Sequence, residues 1–267
     1  LIAKNPETAG KKFSKEEILK FYKNVVQEVS ELIPEGSVSI EVYADASTTS
    51  DLMLAQGREF YKWIPNAHIK YPTTAEGLAA AERSVKEGMR VNMTLVFSQE
   101  QAAAVYAATR GATRGQVFLS PFVGRLDDRG EDGMDLIENI IKMYEQGDGH
   151  VEVLTASVRN AKHMGIALAY DSDIITAPLK VLREWKELEL TPRLAEDGES
   201  RRAVLSLQQR GSPPSFTKEG EGRVSNLKSI PYAELDLNKP WQEYDIRHEL
   251  TEKGIEKFAQ DWNSLIK

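Results

Sequence analysis

Lys70 sits where a lysine amine could do chemistry. It falls in Ala67-His68-Ile69-Lys70-Tyr71-Pro72, a short apolar run that Pro72 brings to a stop. The ordinary reading of a lysine at a strand end is a side chain reaching for water. Here, though, polar residues also close the neighbouring apolar runs. Glu41 falls in residues 37–42, Asn92 and Thr94 in 91–97, Ser120 at the end of 116–120, and Ser157 and Arg159 just beyond 151–156. An amine must be neutral to attack a carbonyl, and apolar surroundings with cationic neighbours favour that form. Lys70 is therefore a candidate nucleophile. Glu41 is either its ion-pair partner or a group that passes a proton through a water. Asn92 and Thr94 alternate with Val91, Met93 and Leu95, which puts both on one face of a strand. Buried polar side chains need partners, and substrate hydroxyls would supply them.

The second constellation is cationic. Ser120-Pro121-Phe122-Val123-Gly124-Arg125 is the most specific string in the chain, with Gly124 permitting a tight turn. Arg125 offers a planar fork suited to phosphate or carboxylate. Ala156-Ser157-Val158-Arg159 closes another run in the same way. Either arginine alone reads as a surface residue. Two arginines and a serine at strand ends read as an anion site, and in parallel barrels the loops after the seventh and eighth strands commonly form one.

These residues have to be positioned by alternating elements. Strand-like runs at 37–42, 66–72, 91–97, 116–120, 151–156 and 173–176 are separated by helical patterns at about 51–64, 73–88, 98–110, 132–146 and 160–170. A further helix precedes them from Ser14, and another follows at about 178–188. Ser14–Glu17, Thr73–Glu76 and Ser98–Gln101 have the spacing of capping boxes. Such alternation implies a parallel sheet with right-handed crossovers, the α/β class, and polar strand ends fit a (β/α)8 barrel. Composition changes after Leu190. Residues 193–247 read as an inserted, loop-rich surface excursion around Gly211-Ser212-Pro213-Pro214-Ser215, following a barrel domain over 1–192. Residues 248–267 read as a terminal helix capped at Thr251, docking through Ile255, Phe258, Trp262 and Leu265.

Bulk properties exclude several functions. The 267 residues are 41% apolar, enough for a sizeable core, and no window approaches a membrane span. A net charge of −7 argues against nucleic acid as the main partner. With no cysteine, disulfides, thiolate metal sites and a cysteine nucleophile are ruled out, and a cytoplasmic setting is expected. The four histidines show no metal-ligand spacing, and the acids Asp127, Asp128, Glu131, Asp132 and Asp135 lack that of a calcium loop.

Asn92-Met93-Thr94-Leu95-Val96-Phe97-Ser98, Ser120–Arg125, Ile69-Lys70-Tyr71-Pro72 and Ala156–Arg159 together closely resemble the transaldolase family, members of the Schiff-base class I aldolase superfamily. The likeness runs from Leu1 to about Trp185 and returns over residues 244–262; the excursion has no counterpart in the shorter members. The resemblance implies a transferase of the pentose phosphate pathway that needs no cofactor. It would pass a dihydroxyacetone unit from sedoheptulose 7-phosphate or fructose 6-phosphate to an aldose phosphate. It also implies Lys70 as the imine-forming lysine, Glu41 and Thr94 as holders of a catalytic water, and Asn92 and Ser120 as donors to the dihydroxyacetone moiety. Arg125, Ser157 and Arg159 would form the phosphate site. Tyr71 stands where an aliphatic residue is usual. In the wider family a hydroxylated ring at the position of Phe122 accompanies aldolase activity. The alternatives are an aldolase releasing dihydroxyacetone from the same imine, and a non-catalytic sugar-phosphate-binding barrel. Expected partners are sugar phosphates, with no nucleic acid and no membrane; a homo-oligomer stays open. Six strands are two short of a closed barrel. The resemblance leads us to expect two further strands ahead of Leu1, carrying an acid–base aspartate and a substrate-holding asparagine, or a segment elsewhere that fills the gap.

Overall fold

In the computed structural model, which describes residues 10–187, 190–194, 203–207 and 226–266, six strands form one parallel, curled sheet. Helix α1 (Lys15–Leu32) opens on a complete capping box: Ser14 Oγ accepts from the Glu17 amide, and the Glu17 carboxylate accepts from the Ser14 amide. Then come β1 (Val38–Glu41), α2 (Ser50–Tyr61), β2 (Ala67–Pro72), α3 (Ala75–Lys86), β3 (Val91–Val96), α4 (Gln99–Ala108) and β4 (Val117–Pro121). After these follow α5 (Val123–Asp127), α6 (Gly133–Tyr144), β5 (Val151–Thr155), α7 (Ala161–Ala169), β6 (Ile174–Ile175) and α8 (Leu179–Glu187). The sheet runs β1-β2-β3-β4-β5-β6, the order of the chain, so each crossover joins neighbouring strands. This is the architecture of a partial barrel. Strands β7 (Leu190–Leu194) and β8 (Ala203–Leu207) pair antiparallel, β7 across the start of the stretch expected to be loop and β8 inside it. Both the Gly211–Ser215 string and Leu1–Pro6 lie outside the described residues.

Alternation along the strands divides the molecule into two faces. Ile40, Ile69, Tyr71, Val91, Met93, Val117, Leu119, Val151 and Val153 belong to one continuous core with the surrounding helices. The residues between them, Ser39 and Glu41, His68 and Lys70, Asn92 and Thr94, Phe118 and Ser120, therefore face the concave side. Tyr71 fits its site because of two partners. Its hydroxyl bonds to Ser84 Oγ at 3.0 Å, and α2 carries glycine at position 57, where a Cβ would lie 2.0 Å from that hydroxyl. The large ring is accommodated on the outer face, away from Lys70.

Several local expectations are corrected. The helix after β2 is capped by Thr74, not Thr73, because the Thr73 hydroxyl donates to the Thr94 carbonyl at 2.9 Å. Ser98 caps α4, yet Gln101 turns its amide away from the box, accepting from Phe97 N and donating to Thr251. Helix α9 (Glu249–Asn263) is capped by His248 instead of Thr251. Thr251 is buried and donates to the Leu95 carbonyl at 2.8 Å, tying the terminal helix to the mouth of β3. At that point β3 is irregular. Its register with β4 shifts between Met93 and Val96, and Leu95 has φ 59°, a left-handed conformation costly for a branched side chain.

Residues 226–247 run along the outside of the helices. Gln99 and Asn139 donate to the carbonyls of Pro231 and Ile230, Asp135 accepts from Ser229 and the Ile230 amide, and Trp241 donates to Glu82. Leu237 and Tyr244 are buried. Among the described residues, no helix is long and apolar enough to cross a membrane.

Candidate active site

Strand register assembles the first constellation. Glu41 pairs with Lys70, and Lys70 with Asn92, across three adjacent parallel strands. Lys70 Nζ donates to Glu41 Oε2 at 3.1 Å, and both side chains are largely shielded from solvent. Tyr22 of α1 fixes the other half of this pair. Its hydroxyl accepts from the Glu41 amide at 2.8 Å, on the outer side of β1, which pairs with no strand there among the described residues. Burial pushes the Tyr22 phenol up to about 12, so it stays a neutral hydroxyl at any working pH. Nothing in the sequence marks Tyr22 beyond its place on an amphipathic helix.

The structure brings Asn92 and Ser120 together, with the Ser120 hydroxyl donating to Asn92 Oδ1 at 2.7 Å. Thr94, fully buried and two residues along the same face, has a hydroxyl with no hydrogen-bond partner among the described residues. An unpaired buried hydroxyl costs about 1–3 kcal/mol, and it is suited to a water or a substrate oxygen. Glu41 and Thr94 do not bond to each other directly.

The cationic constellation lies beside the first. The Phe122 ring centroid is 5.9 Å from Lys70 Nζ and 5.2 Å from the Arg125 guanidinium carbon, and Phe258 of α9 flanks the same guanidinium at 5.5 Å. Burial, reinforced by the positive charge of Arg159, lowers the Arg125 pKa. Arg125 makes no ion pair among the described residues, while Arg159 meets Asp128 at 2.8 Å. Ser157 adopts φ 59°, and its carbonyl accepts from the Gly124 amide at 3.2 Å. Gly124 serves close approach instead of a tight turn. A Cβ there would lie 2.3 Å from Arg159 Nε and 2.4 Å from the Ser157 carbonyl. The segment expected to be a loop thus becomes α5, docked by its first amides on the end of β5. Behind it, His163 bonds to Asp127 at 2.9 Å, so part of the acidic cluster is used in holding this loop.

At the opposite end of the concave face, His68 stacks on Phe118 with centroids 3.9 Å apart and bonds to the Gly115 carbonyl at 3.0 Å. A carbonyl only accepts, so Nε2 carries the proton; Nδ1 has no hydrogen-bond partner among the described residues. Burial, against the Gly115 bond and with the Arg90 charge, lowers the ring from its ordinary 6.5 to about 4. The unfolded chain binds this proton near pH 6.5 and the folded chain only near 4. The neutral ring's contribution to stability is therefore present above about 6.5 and is lost as pH falls toward 4. His68→Phe keeps the stacked ring without a titrating group, so its melting temperature should vary less with pH across that window. An unchanged slope in the variant would show that another group is responsible.

Comparison with known proteins identifies the family. A profile of the family described as Transaldolase/Fructose-6-phosphate aldolase matches residues 2–267. The chain belongs to that family. It is 45% identical over 170 residues to a probable transaldolase of Dehalococcoides mccartyi, a match spanning 64% of this chain and 74% of that protein. Probable transaldolases of a Roseiflexus species and of Caulobacter vibrioides are 42% and 41% identical over 170 and 169 residues, covering 74% and 73% of their lengths.

Proposed function

We propose that this chain is a transaldolase, moving a dihydroxyacetone unit from fructose 6-phosphate or sedoheptulose 7-phosphate to an aldose phosphate through an imine on Lys70. The observation that carries the reading is the Lys70 amine held 3.1 Å from Glu41 on the concave face, with Arg125 close by. Lys70, once neutral, adds through Nζ to the C2 carbonyl of the ketose. Glu41 relays two protons, directly or through a water near Thr94: the one Lys70 gives up to become neutral and one from the nitrogen of the adduct. The first to reach the C2 oxygen makes it a hydroxyl, and the second lets it leave as water. The resulting iminium accepts electrons. When the C4 hydroxyl loses its proton, the C3–C4 bond breaks and its electron pair flows to the imine nitrogen. The aldose leaves, and an enamine of dihydroxyacetone remains on Lys70. Asn92 and Ser120 hold its hydroxyls, and Arg125, Ser157 and Arg159 hold the phosphate. Attack of the enamine on a second aldose, followed by hydrolysis of the new imine, completes the transfer within the pentose phosphate pathway.

Reduction with borohydride in the presence of fructose 6-phosphate should leave a stable adduct on Lys70, located by peptide mass spectrometry. An unmodified Lys70, or an adduct on another lysine, would overturn the assignment and favour a sugar-phosphate-binding barrel.

Phe122 bears on whether the unit is transferred or released. Its ring lies against both Lys70 and Arg125 without a hydroxyl to protonate the enamine. Phe122→Tyr should raise the ratio of fructose 6-phosphate cleavage to transfer severalfold, measured with and without an aldose acceptor. An unchanged ratio would remove Phe122 from the control of outcome.

A further inference from the structure

Asn92 is held from two sides, and only one of the holders is explained by the reading above. Its Oδ1 accepts from Ser120 on the adjacent strand β4, while its Nδ2 donates at 2.9 Å to Ser39 Oγ on β1. Strands β1 and β3 are not neighbours, since β2 lies between them. Register sets Ser39 level with His68 and Asn92 level with Lys70. The bond therefore crosses the concave face of β2 between the His68 and Lys70 side chains, beside the amine. We infer that Ser39 is a positioning residue that orients the Asn92 amide toward the substrate carried by Lys70; this rests on the function proposed above.

The terminal torsion of an asparagine is broad, so the single contact from Ser120 leaves the amide plane free to turn. A second contact on the far side of β2 fixes that plane. One Nδ2 hydrogen is then committed to Ser39, and the other is free to donate to a substrate hydroxyl. Ser39 is itself exposed on the open concave side, where the loss of a hydroxyl costs the fold little. It lies two residues before Glu41, which places both on the same face of β1.

A double-mutant cycle in kcat/KM for fructose 6-phosphate tests the inference. Ser39→Ala should lower kcat/KM roughly tenfold, the size of one lost orienting hydrogen bond. Ser39→Thr, which keeps the hydroxyl, should stay within about twofold of wild type on the same reasoning. Asn92→Ala should cost more than Ser39→Ala, and adding Ser39→Ala to Asn92→Ala should cost nothing further. Wild-type activity in Ser39→Ala, or losses that multiply in the double variant, would overturn the role. Borohydride trapping on the wild-type chain separates the two levels. No adduct on Lys70 removes the proposed function itself, whereas an adduct with an unaffected Ser39→Ala removes only the role of Ser39.

Discussion

Lys70→Arg is expected to abolish both turnover and borohydride trapping while the protein remains folded. Arginine keeps the positive charge and can still meet Glu41, which lies 3.1 Å from the native amine. Its guanidinium stays protonated at any working pH, so it has no lone pair to offer a carbonyl. The substitution therefore separates chemistry from electrostatics better than Lys70→Ala, which would leave Glu41 without its cation. The fold should tolerate either change. Lys70 points to the concave side, and its strand is anchored by the fully buried Ile69 and Tyr71 on the other face. Circular dichroism and melting temperature should stay near wild type. Steady-state transfer should fall below detection, since removing a covalent catalyst takes the reaction path with it. Measurable transfer by a folded Lys70→Arg protein would exclude imine chemistry at this position.

Much of the sheet was legible because its signals are local. Polar and apolar residues alternate in Val91-Asn92-Met93-Thr94, and the strand they predict lies with Val91 and Met93 in the core. The six strands, β6 included, start and end within one residue of the periodic runs. Juxtaposing Glu41, Lys70 and Asn92 also needed only alternation and a parallel register. What escaped sequence reading depends on contacts between distant segments. The Leu95 backbone is held left-handed beside a threonine 156 positions later that looked like a helix cap. Thr251 carries the right residue type for a cap, and nothing local shows that its hydroxyl is spent elsewhere. Tyr71 departs from the usual aliphatic residue, and the room for it is made by Gly57 and Ser84 on two other helices. The strap at residues 226–247 is bound mostly through its backbone, to Gln99, Asp135 and Asn139, and backbone acceptors leave no compositional trace. Phe258 belongs to the docking stripe of the terminal helix, and it does pack. What it packs against is the Arg125 guanidinium, which brings the terminal helix to the proposed anion site.

That placement yields the second large effect. The Arg125 guanidinium lies between the rings of Phe122 and Phe258 with its charge unpaired among the described residues, while Arg159 shares its charge with Asp128. A half-buried cation beside a second cation is a poor arrangement for an empty site and a good one for a dianion. Arg125→Ala should therefore lower kcat/KM for phosphorylated substrates by about 10- to 150-fold, the equivalent of about 1.5–3 kcal/mol for a charged hydrogen bond. Arg125→Lys keeps a point charge but loses the planar fork and the stacking, so it should fall between alanine and wild type. Arg159→Ala should cost less, because its guanidinium is half exposed and already engaged. The control is the same assay with an unphosphorylated acceptor such as glyceraldehyde. If Arg125 reads phosphate, kcat/KM for that acceptor, which in a ping-pong transfer excludes the step with the phosphorylated donor, should be nearly unchanged relative to wild type. Equal losses with both acceptors would mean that Arg125 works through Phe122 and Phe258 to hold α9 in place, and that phosphate is recognised elsewhere.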